Sequence, residues 1–275
     1  MRNEPGRYIY GIIPRPPLSS FNLTGMDEKP VTVVPFENLA AVVSESPVRR
    51  YEVSRDNVLK HEWVIEQLMQ YYTVLPVRFG TVAATEEDIR VKLLRRHFGS
   101  LHGMLKRLDN KVELGLKVSW HRERVFAALL DDEPELRLFR DTLATRPATE
   151  SLYERVQLGQ MVEQALTTRR SNDAQRILDA LRPLAQQVHE SPIGDDLMVV
   201  NAAFLVDKRR ESVFDARVRA LDEESGDLMN FRYVGPLPPF NFVSLVVTWD
   251  DGDPASAAPD WDRLTETAAP ADGRG

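Results

Sequence analysis

The histidines are the first residues to test for chemistry, and their spacing does not build a site. His61-Glu62 opens like the helix motif of zinc proteases, where two imidazoles one turn apart share the metal, but Ile65 occupies the second position. His97 and His102 are five residues apart, which puts them on different helix faces, and His121 and His189 lie elsewhere in the chain. There is no Gly-rich dinucleotide fingerprint, no phosphate loop and no Gly-x-Ser-x-Gly elbow. With no cysteine, thiol nucleophiles, thiolate metal ligands and disulfides are excluded together. The acidic clusters Asp131-Asp132-Glu133, Asp195-Asp196 and Asp222-Glu223-Glu224 fall at expected turns or helix ends, where solvated carboxylates are ordinary. These observations predict a protein that is not an enzyme and carries no cofactor and no metal.

Two segments are better suited to binding. In Leu75-Pro76-Val77-Arg78-Phe79-Gly80-Thr81-Val82 a proline and an arginine interrupt an apolar run, as at a sheet edge or a strand start. Arg78 then either pairs with an acid of its own domain or contacts a ligand. In Gly235-Pro236-Leu237-Pro238-Pro239-Phe240-Asn241-Phe242-Val243 three prolines are expected to hold the chain extended while it presents Leu237, Phe240 and Phe242. Such a loop either tucks its aromatics against its own domain or offers a preorganised anchor to a partner. Arg78, Phe79, Pro236, Leu237, Pro239, Phe240 and Phe242 are therefore the candidate partner-binding residues. The basic run Arg95-Arg96-His97 reads as a solvated helix face, with docking of an acidic partner as the alternative.

The elements that position these residues follow from periodicity. Tyr8 to Ile13 reads as a strand, and Val31 to Val34 with Leu39 to Ser44 as a hairpin joined through Pro35-Phe36-Glu37-Asn38. Ser54 is a helix N-cap with Asp56 in the first turn, and Val58, Ile65, Leu68 and Tyr72 keep helical spacing. Thr73 to Val82 is expected as a buried strand. Thr85 caps a helix striped by Leu94, Phe98, Leu101, Leu105 and Leu108, which Gly99 and Gly103 could bend.

Val112, Leu114, Leu116, Val118 and Trp120 alternate with Glu113, Gly115, Lys117 and Ser119, a strand with Glu113 on its other face. Short helices around 122–130 and 135–143 follow, then a long helical region from about Thr149 to His189 with a kink at Pro183. Leu197 to Val206 reads as a central strand, Arg209 to Leu221 as an amphipathic helix, Leu228 to Val234 as a strand and Val243 to Trp249 as a last one. The second half is thus β-α-β-α-β, a split-βαβ or ferredoxin-like arrangement with extra helices.

The expected class is α+β in two domains: 1–109, an N-terminal α+β domain, and 110–249, a modified ferredoxin-like domain with extra helices. Residues 250–275, rich in Asp, Ala, Pro and Gly, are expected to be a disordered acidic tail. A net charge of −7 over 275 residues argues against a nucleic-acid partner, which requires clustered Lys and Arg. Met1 to Arg7 lacks the apolar core of a signal peptide, and the apolar stretch Leu197 to Val206 is too short to span a lipid membrane. A soluble protein that stays in the cytoplasm is expected.

Several of these segments carry a resemblance in combination. They are Tyr8-Ile9-Tyr10-Gly11-Ile12, Leu39-Ala40-Ala41-Val42-Val43-Ser44-Glu45, His61 in its helix, Thr73 to Val82, Glu113-Leu114-Gly115-Leu116-Lys117-Val118 and the Gly-Pro-x-Pro-Pro-Phe-Asn-Phe-Val run. In this order, across residues 8 to 243, the chain resembles the gas vesicle protein F/L family. Leu237 stands where that family would carry an aromatic between the prolines. The resemblance implies a two-domain α+β protein with a ferredoxin-like second domain. It also implies a minor component or assembly factor of gas vesicles, associated with them. The implied partners are the major gas vesicle shell protein, small and very hydrophobic, and other gas vesicle accessory proteins. Preventing aggregation of that shell protein is the implied task. The competing class, a small-ligand-binding or catalytic ferredoxin-like domain, would need titratable groups converging on a polar pocket.

Overall fold

The computed structural model describes residues 5–243 together with Leu245, Val247 and Trp249. It is a mixed α and β protein, and its described residues fall into two packed units: residues up to Glu113 with those from Pro236 onward, and Leu114–Gly235. The sequence pattern ends the first domain at 109 and places Pro236 onward in the second. The difference arises because Leu245 forms a parallel bridge with Val77 and Glu113 binds Asn241, which tie the end of the described chain to the first unit. The expected acidic tail, 250–275, lies outside the described residues, as does part of the expected strand from Val243 to Trp249.

In the first unit β1 (Gly6–Pro14), β2 (Ser20–Thr24), β3 (Pro30–Phe36) and β4 (Leu39–Ser46) build an antiparallel sheet. The β3–β4 hairpin is tighter than its sequence suggests: Phe36 pairs with Leu39, so only Glu37 and Asn38 form the turn. Helix α1 (Arg55–Met69) starts at Ser54, whose side chain accepts the Asn57 N–H. It lays Val64, Ile65 and Leu68 on the sheet face formed by Tyr8, Tyr10, Ile13, Ala40 and Val42.

A bulge makes that face possible. Ile9 pairs with Val43 and Gly11 with Val42, which leaves Tyr10 as the extra residue. The extra residue resets the alternation, so Tyr8, Tyr10 and Ile13 share one side while buried Ile9 and Ile12 take the other.

The expected strand from Thr73 to Val82 is two short pieces, β5 (Leu75–Pro76) and β6 (Val82–Ala83), both antiparallel to β1. Between them the chain leaves the ladder, with Gly80 in the left-handed region at φ +81°. After β6, Thr85 caps α2 (Glu86–Asp88), which continues as a π-helical stretch, Ile89–Arg95. Helix α3 (Phe98–Leu108) begins after a break at Arg96-His97. The break is there and not at the glycines: Gly99 and Gly103 sit inside α3 facing open space.

The second unit continues from β7 (Lys111–Trp120) through α4 (Arg122–Asp132), α5 (Pro134–Ala144) and α6 (Leu152–Leu181). Then come β8 (Gln187–Glu190), β9 (Met198–Asp207), α7 (Glu211–Ser225) and β10 (Met229–Leu237). The sheet order is β10-β7-β9-β8. Pro183 lies in the short turn that ends α6 at Leu181, and the chain then forms β8 where the sequence suggested more helix. Phe204 on β9 and Phe214 on α7 are buried with ring centroids 5.1 Å apart, and the Trp120 indole N–H donates to Asp173 on α6 at 2.9 Å.

Gly25 leaves no room for a side chain. A Cβ there would sit 2.0 Å from the Tyr10 hydroxyl oxygen, which accepts the Met26 N–H at 2.6 Å and pairs with the Ser44 hydroxyl at 2.8 Å. Gly25→Ala is expected to cost about 1–3 kcal/mol by displacing Tyr10. Chemical denaturation of the two proteins measures it, and an unchanged midpoint would show that the Tyr10 contacts are dispensable.

Candidate functional site

The bulge in β1 turns the Tyr8 and Tyr10 rings toward α1, and His61 is the helix residue that meets both. Its ring centroid lies 5.7 Å from that of Tyr8 and 5.8 Å from that of Tyr10. His61 is 2% exposed, so each ring nitrogen needs a partner. Nε2 lies 3.1 Å from the Val77 carbonyl oxygen, which can only accept, so Nε2 carries the proton. Nδ1, 3.0 Å from the Tyr8 oxygen, then accepts the Tyr8 O–H. The Tyr8 oxygen in turn accepts the Gly80 N–H at 3.1 Å.

One neutral imidazole thus joins β1, α1 and both ends of the loop between β5 and β6. Burial pushes its pKa down to about 4, which favours this neutral form. Burial also raises the Tyr8 hydroxyl and takes that of Tyr10 up to about 12. With both nitrogens engaged, His61 is built as a structural residue, not as a base or a metal ligand. Among the described residues no group of three His, Asp or Glu is close enough together to hold a metal ion.

The anchored loop presents Arg78 and Phe79. Phe79 is half-buried, with its ring edge-on to His61 at 5.7 Å and to Tyr8 at 6.3 Å. Arg78 is exposed, and its guanidinium has no ion-pair partner among the described residues. Its backbone N–H donates to the Leu245 carbonyl at 3.1 Å, which holds the loop from the other side.

The proline-aromatic run reaches the same place, although it is not extended throughout. Pro236 and Leu237 finish β10, Pro238 and Pro239 are buried, and the chain then folds into a turn in which Phe242 and Val243 N–H groups bond to the Pro239 carbonyl. The turn is fixed by Glu113. Its carboxylate accepts the Asn241 backbone N–H at 2.8 Å and the Asn241 side-chain amide at 2.5 Å. Glu113 is 2% exposed, although strict alternation along β7 would have put it on an outer face. No spacing rule finds this residue, because β7 buries three consecutive residues, Val112, Glu113 and Leu114, where it starts.

Phe240 packs against the apolar cluster that contains Tyr8 and Tyr10. Arg78, Phe79 and Phe240, from the two segments singled out in the sequence, therefore line one cleft of about 140 Å³ with Val58, His61 and Glu62. Pro236, Leu237, Pro239 and Phe242 are not in its walls, and of these Pro239 is buried. The cleft has the volume and lining for one apolar side chain, with a cation at its rim.

His61 should be visible in stability. Its folded pKa is below the ordinary 6.5, so the folded protein resists protonation that the unfolded chain accepts. Its contribution is complete above about pH 6.5 and is lost as the pH falls toward 4, on the order of 3 kcal/mol in total. His97, also lowered by burial and by Arg96, acts in the same direction. The His61 part is the difference between native and His61→Gln stability curves over that range, and parallel curves would overturn the assignment. His61→Ala, which also strands the Tyr8 hydroxyl and the Val77 carbonyl, is expected to cost about 2–4 kcal/mol at pH 8 by denaturant melting.

Comparison with known proteins places the whole fold. The family model for gas vesicle synthesis protein GvpL/GvpF matches residues 6–244. Gas vesicle protein F of Nostoc sp. strain PCC 7120 is 31% identical over 243 residues, 87% of this chain and 98% of that protein. The crystal structure of the gas vesicle protein GvpF from Anabaena sp. PCC7120 superimposes with a TM-score of 0.79 at 30% identity, covering 88% of this chain and 99% of that one. That of GvpF from Microcystis aeruginosa gives 0.70 at 30% identity, over 86% and 97%. The aromatic cleft is therefore part of a chain that belongs to the gas vesicle synthesis protein GvpL/GvpF family.

Proposed function

We propose that this chain is an assembly factor that binds the hydrophobic major shell protein of gas vesicles in the cytoplasm and keeps it from aggregating until it joins the shell. Other accessory proteins of the vesicle would share the task. The observation that carries this reading is the cleft beside Phe240. Its walls are held by buried hydrogen bonds at His61 and Glu113, yet Phe79 and Phe240 remain partly open to solvent, and the exposed Arg78 at the rim has no ion-pair partner among the described residues. A site of that kind accepts an apolar side chain with little reorganisation, and such preorganisation favours binding. An unassembled hydrophobic subunit supplies the surface that needs covering.

The second unit fits the same role as a scaffold. We read its β10-β7-β9-β8 order, with α6 and α7 as crossovers and α4 and α5 as additions, as a modified ferredoxin-like domain.

Coexpression of the tagged chain with the major shell protein, followed by pull-down from the soluble fraction, tests the proposal. The native chain should retain the shell protein in solution. Arg78→Glu, on an exposed side chain, and Phe79→Ser should each reduce the amount retained, about tenfold for a residue at the centre of an interface. Absence of the shell protein from the native pull-down, with the accessory proteins present and the chain folded, would overturn the reading.

A further inference from the structure

Helix α1 carries a feature that the aromatic cluster does not use. While Val64, Ile65 and Leu68 are buried, Leu59 is 49% and Trp63 40% exposed, one helical turn apart. Glu62 and Glu66 lie on the same side, so 59, 62, 63 and 66 form a single stripe at helical spacing. Neither carboxylate has a cation paired with it among the described residues, and Lys60 on the same helix is taken by Glu28 at 2.9 Å.

Both parts of the stripe are unfavourable in the free protein. Like charges one turn apart repel, and an indole in water leaves apolar area uncovered. Burial and the neighbouring Glu66 push the Glu62 carboxyl above its usual range, the direction expected of a carboxylate pair lacking a counter-ion. The stripe also continues into the cleft, since Val58 and Glu62 are two of its walls.

We propose that this face of α1 docks a basic amphipathic helix of the client protein. The client's apolar seam covers Leu59 and Trp63, its Lys or Arg side chains pair with Glu62 and Glu66, and one apolar side chain enters the cleft against Phe240. The proposal rests on the assembly reading and specifies the chemistry of what is bound. A helix is favoured because the exposed residues repeat as a helix–helix seam does, over about two turns or 10 Å. The basic sign follows from the unpaired carboxylates. Arg78, in the cleft wall, marks where the basic side of the client helix must end.

The probe is a fluorescein-labelled peptide of about 18 residues, five helical turns, built from Leu and Lys in heptads. Its binding to the full chain is read by fluorescence anisotropy in about 0.15 M salt, where exposed charges more than about 8 Å apart are screened. Glu62→Lys with Glu66→Lys, and separately Trp63→Ala, should each weaken binding by about tenfold or more. Glu123→Lys with Glu163→Lys makes the same change in net charge at exposed positions of the second unit and should leave binding as in the native chain. An equal loss in that control pair would mean bulk charge attraction and would overturn the proposal, as would native-like binding by the α1 variants.

The shell-protein pull-down separates this proposal from the reading beneath it. Shell protein retained equally by the native and Glu62→Lys/Glu66→Lys chains overturns the docking face and leaves the assembly role standing. Peptide binding that follows α1, with no shell protein retained by the native chain, supports the face and removes the assembly role.

Discussion

The first unit depends on how a single buried imidazole satisfies its two nitrogens. A neutral histidine offers one donor and one acceptor, and here the donor goes to the Val77 carbonyl and the acceptor takes the Tyr8 hydroxyl. A loop that leaves its sheet exposes backbone groups to an apolar surrounding, and unpaired groups there are costly. His61 and Tyr8 supply the missing partners to Val77 and Gly80, so the interruption between β5 and β6 is tolerated. The orientation of Phe79, and with it one wall of the cleft, follows from this. A lysine or a glutamate in place of His61 would bring a charge into the same space, which explains why the most titratable side-chain type is used here in its uncharged form.

Glu113 obeys the opposite logic. A carboxylate at 2% exposure loses most of its hydration and must recover it from donors. Both of its oxygens receive N–H groups from Asn241, one from the backbone and one from the side chain. Such charge-assisted bonds are short and directional, which suits a latch on a turn that proline rings alone would leave without donors. The turn then delivers Phe240 to the cluster around His61. A polar group on β7 and another on α1, far apart in sequence, therefore hold the two sides of one apolar cleft.

Much of the architecture could be read from periodicity. The strand through Tyr8, the β3–β4 hairpin, the Ser54 cap, β9 and the first helix face all follow spacing rules that act over a few residues. The failures share a cause, since each is decided by contacts between distant segments. Thr73 to Val82 has strand composition, but the bulge at Tyr10 offsets its partner and His61 captures Val77, so pairing is broken in the middle. Val188 keeps helical spacing from Leu184, yet the Pro183 turn frees the chain to pair with β9, where Val188 faces Phe204. Glu113 looks like an outward residue because alternation assumes one solvated face, and β7 has none at its start. Of the candidate binding residues, Arg78, Phe79 and Phe240 meet in space, which no local rule could show.

The division between a rigid frame and an open lining is what the proposed assembly role would require of a protein handling an aggregating client. If the aromatic side chains were fully buried they would contribute to stability alone, and if they were fully exposed they would promote self-association. Half-buried, on a frame held by hydrogen bonds, Phe79 and Phe240 already have restricted rotamers, so covering them costs little side-chain entropy. In the proposed role the charges near them would set selectivity, since Glu62 and Arg78 would oppose a purely apolar occupant that left them desolvated and unpaired. An affinity built in this way, from a small apolar contact and a few rim charges, would be modest, because exposed pairs contribute little each. Modest affinity would suit the proposed assembly role, since a client held too tightly could not be passed on to a growing shell.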